Sequence, residues 1–96
     1  MLIYLHMAKD KRYETVKKLI AGGHITCFSE ILETVPKTIV AHDLRMHHQT
    51  FDKLLTYPEK FNLEDAISIA SLIEVEDMEI IKLIYSQYII EKKKRK

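Results

Sequence analysis

Turn-formers are scarce in this chain: two glycines, adjacent at Gly22-Gly23, and two prolines, Pro36 and Pro58, in 96 residues. An all-β fold needs a turn cluster about every ten residues, so this scarcity excludes one. The single cysteine, Cys27, excludes an intramolecular disulfide and suits a reducing compartment. Its neighbours Ile25 and Phe28 mark it as a core residue, and one thiol assembles no zinc set. No run approaches the roughly 18 apolar residues of a membrane-spanning helix. The short apolar start, Met1 to Met7, precedes its positive charges Lys9, Lys11 and Arg12, the reverse of a signal peptide. A cytoplasmic location is therefore expected. A glycine-rich phosphate loop and a nucleophile elbow are both missing, so neither enzymatic activity nor a cofactor is expected. Net charge is only +1, which is low for a nucleic-acid binder.

Hydrophobic residues make up 47% and charged residues 30%, a composition that packs one globular domain over residues 1–96. Charge is unevenly spread: residues 1–20 sum to +3, residues 61–90 to −5, and residues 91–96 to +4. Residues 1–10 read as an N-terminal extension and residues 91–96 as a flexible, solvated basic tail.

Helical periodicity dominates from end to end. Tyr13, Val16, Leu19 and Ile20 form one apolar stripe that stops at Gly22-Gly23. Phe28, Ile31, Leu32 and Val35 form a second, with Thr26 as its cap and Pro36 closing it. A third helix, about 37–44, turns Val40, Ala41 and Leu44 inward, and a fourth, about 48–56, turns Phe51, Leu54 and Leu55 inward. Thr56 to Lys60 is a loop, because Pro58 restricts Tyr57 to extended backbone. Asn62 caps a fifth helix whose inner face is Leu63, Ala66, Ile67, Ala70 and Ile73. A last helix, about 77–91, carries more apolar surface than one stripe can bury. Ile81, Ile84, Tyr85 and Tyr88 are its candidate dimer contacts; alternatively residues 1–7 fold back over it.

Two short helices joined by a tight turn pack closely only where the contact is small, and Ala41 supplies that position. Val40, Leu44, Met46, Phe51 and Leu54 complete the buried side. This pattern over Lys37 to Thr56 resembles the helix-turn-helix of the phage-repressor (Cro-type, XRE-like) family. The stretch from Pro58 to Ile73 looks like the repressor helix packed behind the reading helix, and Thr26 to Thr38 is similar to small repressor-like proteins of Bacteroidota. The resemblance covers about two-thirds of the chain. It implies an all-α, five- to six-helix lambda-repressor-like bundle and a sequence-specific, DNA-binding transcriptional regulator. Two positions depart from the family pattern. Arg45 stands where the turn has glycine, which requires a left-handed backbone or a changed turn. His47 stands where serine or asparagine caps the second helix.

The resemblance places His48, Gln49, Asp52 and Lys53 against base edges, with Gln49 able to pair with N6 and N7 of adenine. Asp52 suits that face only if it accepts from cytosine or pairs with Lys53. Lys37, Thr38, Arg45, Thr50 and Lys60 would lie near phosphates. Imidazolium at His47 and His48 would favour phosphate at lower pH. Five histidines do not make a metal site: His47 and His48 diverge by about 100° on a helix, and no pair has helical ligand spacing. Double-stranded DNA and a second copy of the chain are thus the expected partners. The alternatives are a protein-interaction module or an antitoxin that retains the fold, favoured by the near-zero net charge.

Overall fold

A computed structural model describes residues 10–95. The expected extension before Asp10, and any folding back of residues 1–7, lie outside the described residues. Five α-helices follow one another: α1 (Arg12–Ala21), α2 (Lys37–Asp43), α3 (His48–Thr56), α4 (Leu63–Ile73) and α5 (Asp77–Lys94). Two 3-10 helices, Phe28–Glu33 and Pro58–Lys60, fill the connections. The described residues contain no strand, so the all-α bundle expected from the periodicity is what forms. None of these helices is long and apolar enough to cross a membrane.

Three of the helices end in the same way. After α1 the His24 N–H reaches the Leu19 carbonyl at 2.9 Å, the Gly23 N–H reaches Ile20 at 3.1 Å, and Gly23 takes φ 77°. This six-to-one closure with a left-handed residue satisfies the last free carbonyls of a helix. It recurs after α2, where Met46 N–H bonds Ala41, Arg45 N–H bonds His42, and Arg45 has φ 57°. It recurs again after α4, where Val75 N–H bonds Ala70 and Glu74 has φ 67°. The chain thus closes two helices with residues that carry a Cβ, at about 1–2 kcal/mol each.

The stripe Phe28 to Val35 forms a short 3-10 helix over Phe28–Glu33 and not an α-helix. Glu30 Oε1 accepts from Thr26 N–H at 2.6 Å, holding the chain extended just before the turn. Pro36, with ψ 145°, then starts α2 directly. With helical length cut short at both ends, Phe28, Ile31 and Val35 still reach the core. Phe28 is its hub, with ring contacts to Phe51 of α3 (6.4 Å, edge-on) and to Phe61 (5.2 Å, tilted).

Asn62 caps α4 as expected: its side chain accepts from Asp65 N–H at 2.7 Å, and Asp65 returns the bond to Asn62 N–H. The inner face of α4 differs from the expected one. Ala66, Ile69, Ala70 and Ile73 are buried, whereas Leu63 and Ile67 are 64% and 46% exposed. The buried arc is rotated toward Ile69, where α1 and α5 both pack against α4. Along α5 the buried positions are Ile80, Leu83 and Gln87. Gln87 Oε1 accepts from Ser29 N–H at 2.9 Å and its amide donates to Glu91 at 3.0 Å. This buried polar residue therefore has partners on both sides and ties α5 to the start of the Phe28 turn.

The tail expected to be flexible is helical through Lys94. Basic side chains at Lys92, Lys93 and Lys94 sit at the negative end of α5, where the helix dipole favours them.

Two substitutions test this packing by urea or guanidinium unfolding. Phe28→Ala should cost about 3–5 kcal/mol, the range for emptying a buried aromatic site. Arg45→Gly should raise stability by up to about 1 kcal/mol, since relief of left-handed strain exceeds the extra unfolded-state entropy of glycine. A destabilised Arg45→Gly protein would show that the Arg45 side chain contributes more than its backbone costs.

A candidate nucleic-acid interface on α2 and α3

The pair α2 and α3 is joined by Leu44 to His47, with Arg45 supplying the left-handed step. Val40 and Ala41 of α2 are buried, as are Phe51 and Leu54 of α3, while Leu44, Met46 and Leu55 are half-buried around them. Ala41 is buried, its carbonyl accepts from the Met46 N–H at 2.9 Å, and Met46 is half-buried against the core. His47 is the residue before α3 and its side chain makes no capping bond.

Burial of Phe51 and Leu54 fixes what α3 shows to solvent. His48, Gln49, Thr50, Asp52 and Lys53 are all exposed. Thr38 and Arg45 are exposed beside them, and so are Lys37 and Lys60. The residues expected at base edges thus share one helix with Thr50, and of the other residues expected at phosphates Lys37 reaches that helix directly, at Asp52. Among the described residues no three His, Cys, Asp or Glu side chains gather as a metal site.

Asp52 does not pair with Lys53. It accepts from Lys37 Nζ at 2.8 Å, fifteen residues earlier, across the mouth of the two helices. The cause is geometric: Lys37 opens α2 beside the exposed face of α3, whereas Lys53 follows Asp52 immediately and points about 100° away around the helix. Both partners are half-exposed, so the pair contributes on the order of 0–1 kcal/mol and exchanges readily for another partner. Lys37, expected on a phosphate, holds this carboxylate instead.

The far end of α3 is held by a residue whose importance the sequence concealed. Arg95, just past α5, donates from its two Nη atoms to both Glu59 oxygens at 3.0 Å each. It also donates to the Thr56 carbonyl at 2.9 Å and lies 4.5 Å from the Tyr57 ring centroid. One guanidinium thus caps a free carbonyl of α3, forms a forked ion pair and stacks on an aromatic face. Lys60 lies 5.9 Å from the same ring. On the other side, Tyr13 of α1 donates its hydroxyl to Asp43 at the end of α2 at 2.7 Å. Burial, and then this bond to Asp43, push the Tyr13 phenol well above its ordinary range, so it remains a neutral donor.

Electrostatics elsewhere are modest and local. The Arg95 side chain holds the Glu59 carboxyl below its ordinary value of 4.5. The Thr26 N–H does the same for Glu30, and the Arg12 side chain holds Asp10 down to about 2.

No protein-family model, no curated protein and no solved structure matches this chain.

The lowered carboxyls set an acid limit. Each has a lower pKa folded than unfolded, so its stabilising effect is complete above its ordinary value and is lost as pH falls through the lowered one. The melting temperature should therefore fall below about pH 4.5. Glu59→Gln should flatten part of that acid slope in a pH series of thermal melts; an unchanged slope would place the acid sensitivity elsewhere.

Proposed function

We propose that the chain is a cytoplasmic, sequence-specific DNA-binding regulator that reads the major groove with α3. The observation that carries this reading is the joint exposure of His48, Gln49, Asp52 and Lys53 on one helix braced from within by Phe51 and Leu54. A major groove admits one α-helix, and a short helix standing on a two-helix brace presents its outer residues to base edges. Arg45, Lys53 and Lys60 supply positive charge around that face, and Thr38 and Thr50 supply hydroxyl donors for phosphate oxygens. The resemblance of Lys37 to Thr56 to the repressor-type helix-turn-helix supports the same reading.

Gln49 is the specificity residue in this arrangement, pairing with both edge groups of adenine. Lys37 can leave Asp52 for a phosphate at little cost, because an exposed ion pair is weak. Asp52 is then free to accept from cytosine N4. One α3 buries too little surface to find an operator alone, so two copies reading half-sites about one turn apart complete the recognition.

A second reading, a protein-interaction module on the same scaffold, is favoured by the Lys37–Asp52 pair, which neutralises part of the reading face. Fluorescence anisotropy with a mixed-sequence duplex at two salt concentrations separates the two. A DNA binder weakens steeply with salt, because each neutralised phosphate releases a counterion. Binding that is absent or indifferent to salt assigns the chain to the second reading. Once a preferred site has been selected from a random duplex pool, Gln49→Ala should lose about 1–3 kcal/mol of discrimination at one base pair. Lys60→Ala, at a position expected on a phosphate, should weaken all sequences alike and lower the salt slope by about 1.

A further inference from the structure

The outer side of α5 has a stripe of its own. Tyr85 is 61% exposed and Met78 56% exposed, and Ile81, Tyr88 and Ile89 are half-buried beside them. Positions 78, 81, 85, 88 and 92 alternate steps of three and four, so they form one line along a helix. At 1.5 Å per residue this line runs about 21 Å. Its last three members interact in series: the Tyr85 and Tyr88 ring centroids are 6.1 Å apart, and Lys92 Nζ is 5.6 Å from the Tyr88 ring centroid. The line faces away from Ile80, Leu83 and Gln87, which hold α5 to the core. Ile84, expected in a dimer contact, packs on the core instead, and Ile81 lies at the edge of the line, half-buried with part of its side chain on the core.

The charges of α5 are polar along its axis. Glu76, Asp77 and Glu79 open the helix and Lys92, Lys93 and Lys94 end it. Lys94 pairs with Glu91, but no ion pair among the described residues engages Glu76, Asp77, Glu79 or Lys93. A second α5 laid parallel would set acid against acid and base against base. Laid antiparallel, it sets each acidic first turn against a basic last turn and opposes the two helix dipoles. Tyr85 lies midway between Asp77 and Lys93, and midway between Met78 and Lys92, so a two-fold axis at Tyr85 brings these ends together.

We propose that a second copy of this chain docks on the outer face of α5, antiparallel, with Tyr85 at the two-fold axis and Met78, Ile81 and Tyr88 interleaved on either side. The unpaired charges at the two ends of one helix are complemented by those of the other. This surface lies apart from α3, so the pairing stands whether or not α3 reads DNA. A dimer that binds no duplex sinks only the proposed function, and a monomer that binds duplex sinks only the pairing.

Sedimentation equilibrium at micromolar concentration tests it. The chain should be dimeric, and Tyr85→Glu should be monomeric with its helical circular dichroism unchanged, since Tyr85 lies outside the core. A second test does not depend on Tyr85. Lys92→Glu with Lys93→Glu should give a monomer, Asp77→Lys with Glu79→Lys likewise, and a mixture of the two should restore a dimer. Orientation is read by oxidising a mixture of Met78→Cys and Lys92→Cys chains, which should cross-link to each other. A monomeric parent chain, a dimeric Tyr85→Glu protein, or efficient cross-linking of Met78→Cys to itself would each overturn the proposal.

Discussion

The direction each element takes after α1, α2 and α4 is set by how sharply the chain reverses there. With only two glycines available, the same left-handed closure appears after α1, α2 and α4, carried in turn by Gly23, Arg45 and Glu74. A hydrogen bond from the sixth residue back to the first leaves no slack in the connection, so each following element is committed to one direction. The closure at Arg45 is the one on which the candidate interface depends. It bonds Met46 back to Ala41 and starts α3 within two residues, which determines the face that Phe51 and Leu54 bury. The strain there is local, while what it positions is the whole of α3.

Holding α3 at both ends is the work of elements distant in sequence. Phe51 packs edge-on against Phe28, and the Phe28 turn is bonded through Ser29 to Gln87 in the middle of α5. At the other end Arg95 grips Thr56 and Glu59. The last helix is therefore the spine against which α3 is aligned, reached once through an aromatic core and once through a guanidinium. Shallow surface pairs rarely carry such weight. The forked geometry and the Tyr57 ring distinguish this one from an ordinary exposed ion pair.

Much of this was legible in the residues themselves. Helix ends marked by Gly22-Gly23 and Asn62, and the apolar stripes of α2 and α3, are local signals that tertiary packing had no reason to override. At Arg45 the resemblance left two outcomes open, a left-handed backbone or a changed turn, and the left-handed one forms. What escaped was set by partners remote in sequence. Periodicity alone could not rotate α4 to bury Ile69 in place of Ile67, because the rotation follows from two neighbouring helices. Gln87 stood on the apolar line of Ile80 and Leu83, which was a signal, but its partner Ser29 was not visible from that line. A run of lysines followed by Arg95 has the composition of a solvated end. Only the arrival of Tyr57 and Glu59 beneath it makes the last turn of α5 a structural element. Of the candidate interface, exposure of the outward residues of α3 was foreseeable, whereas the Lys37–Asp52 pair depended on the crossing of the two helices.

The near-neutral charge, at first an objection to nucleic-acid binding, takes a different meaning once the cations of α2, α3 and the end of α5 are placed. Arg95 is engaged by Glu59, Lys94 by Glu91 and Lys37 by Asp52. Arg45, Lys53 and Lys60 are left around α3 without an ion pair among the described residues. Three neutralised phosphates correspond to a salt slope of about 2.7, which is weak attachment at physiological ionic strength. A chain so sparing of positive charge would hold DNA poorly as a single copy and far better as two, with six such cations and two reading helices. Low charge on each chain also limits indiscriminate binding, so that affinity would come to depend on base contacts and on pairing. If α3 reads DNA as proposed, the sparse cations around it and the polar charge pattern of α5 would answer one requirement: a surface too weak to act alone would need a second surface that brings another copy.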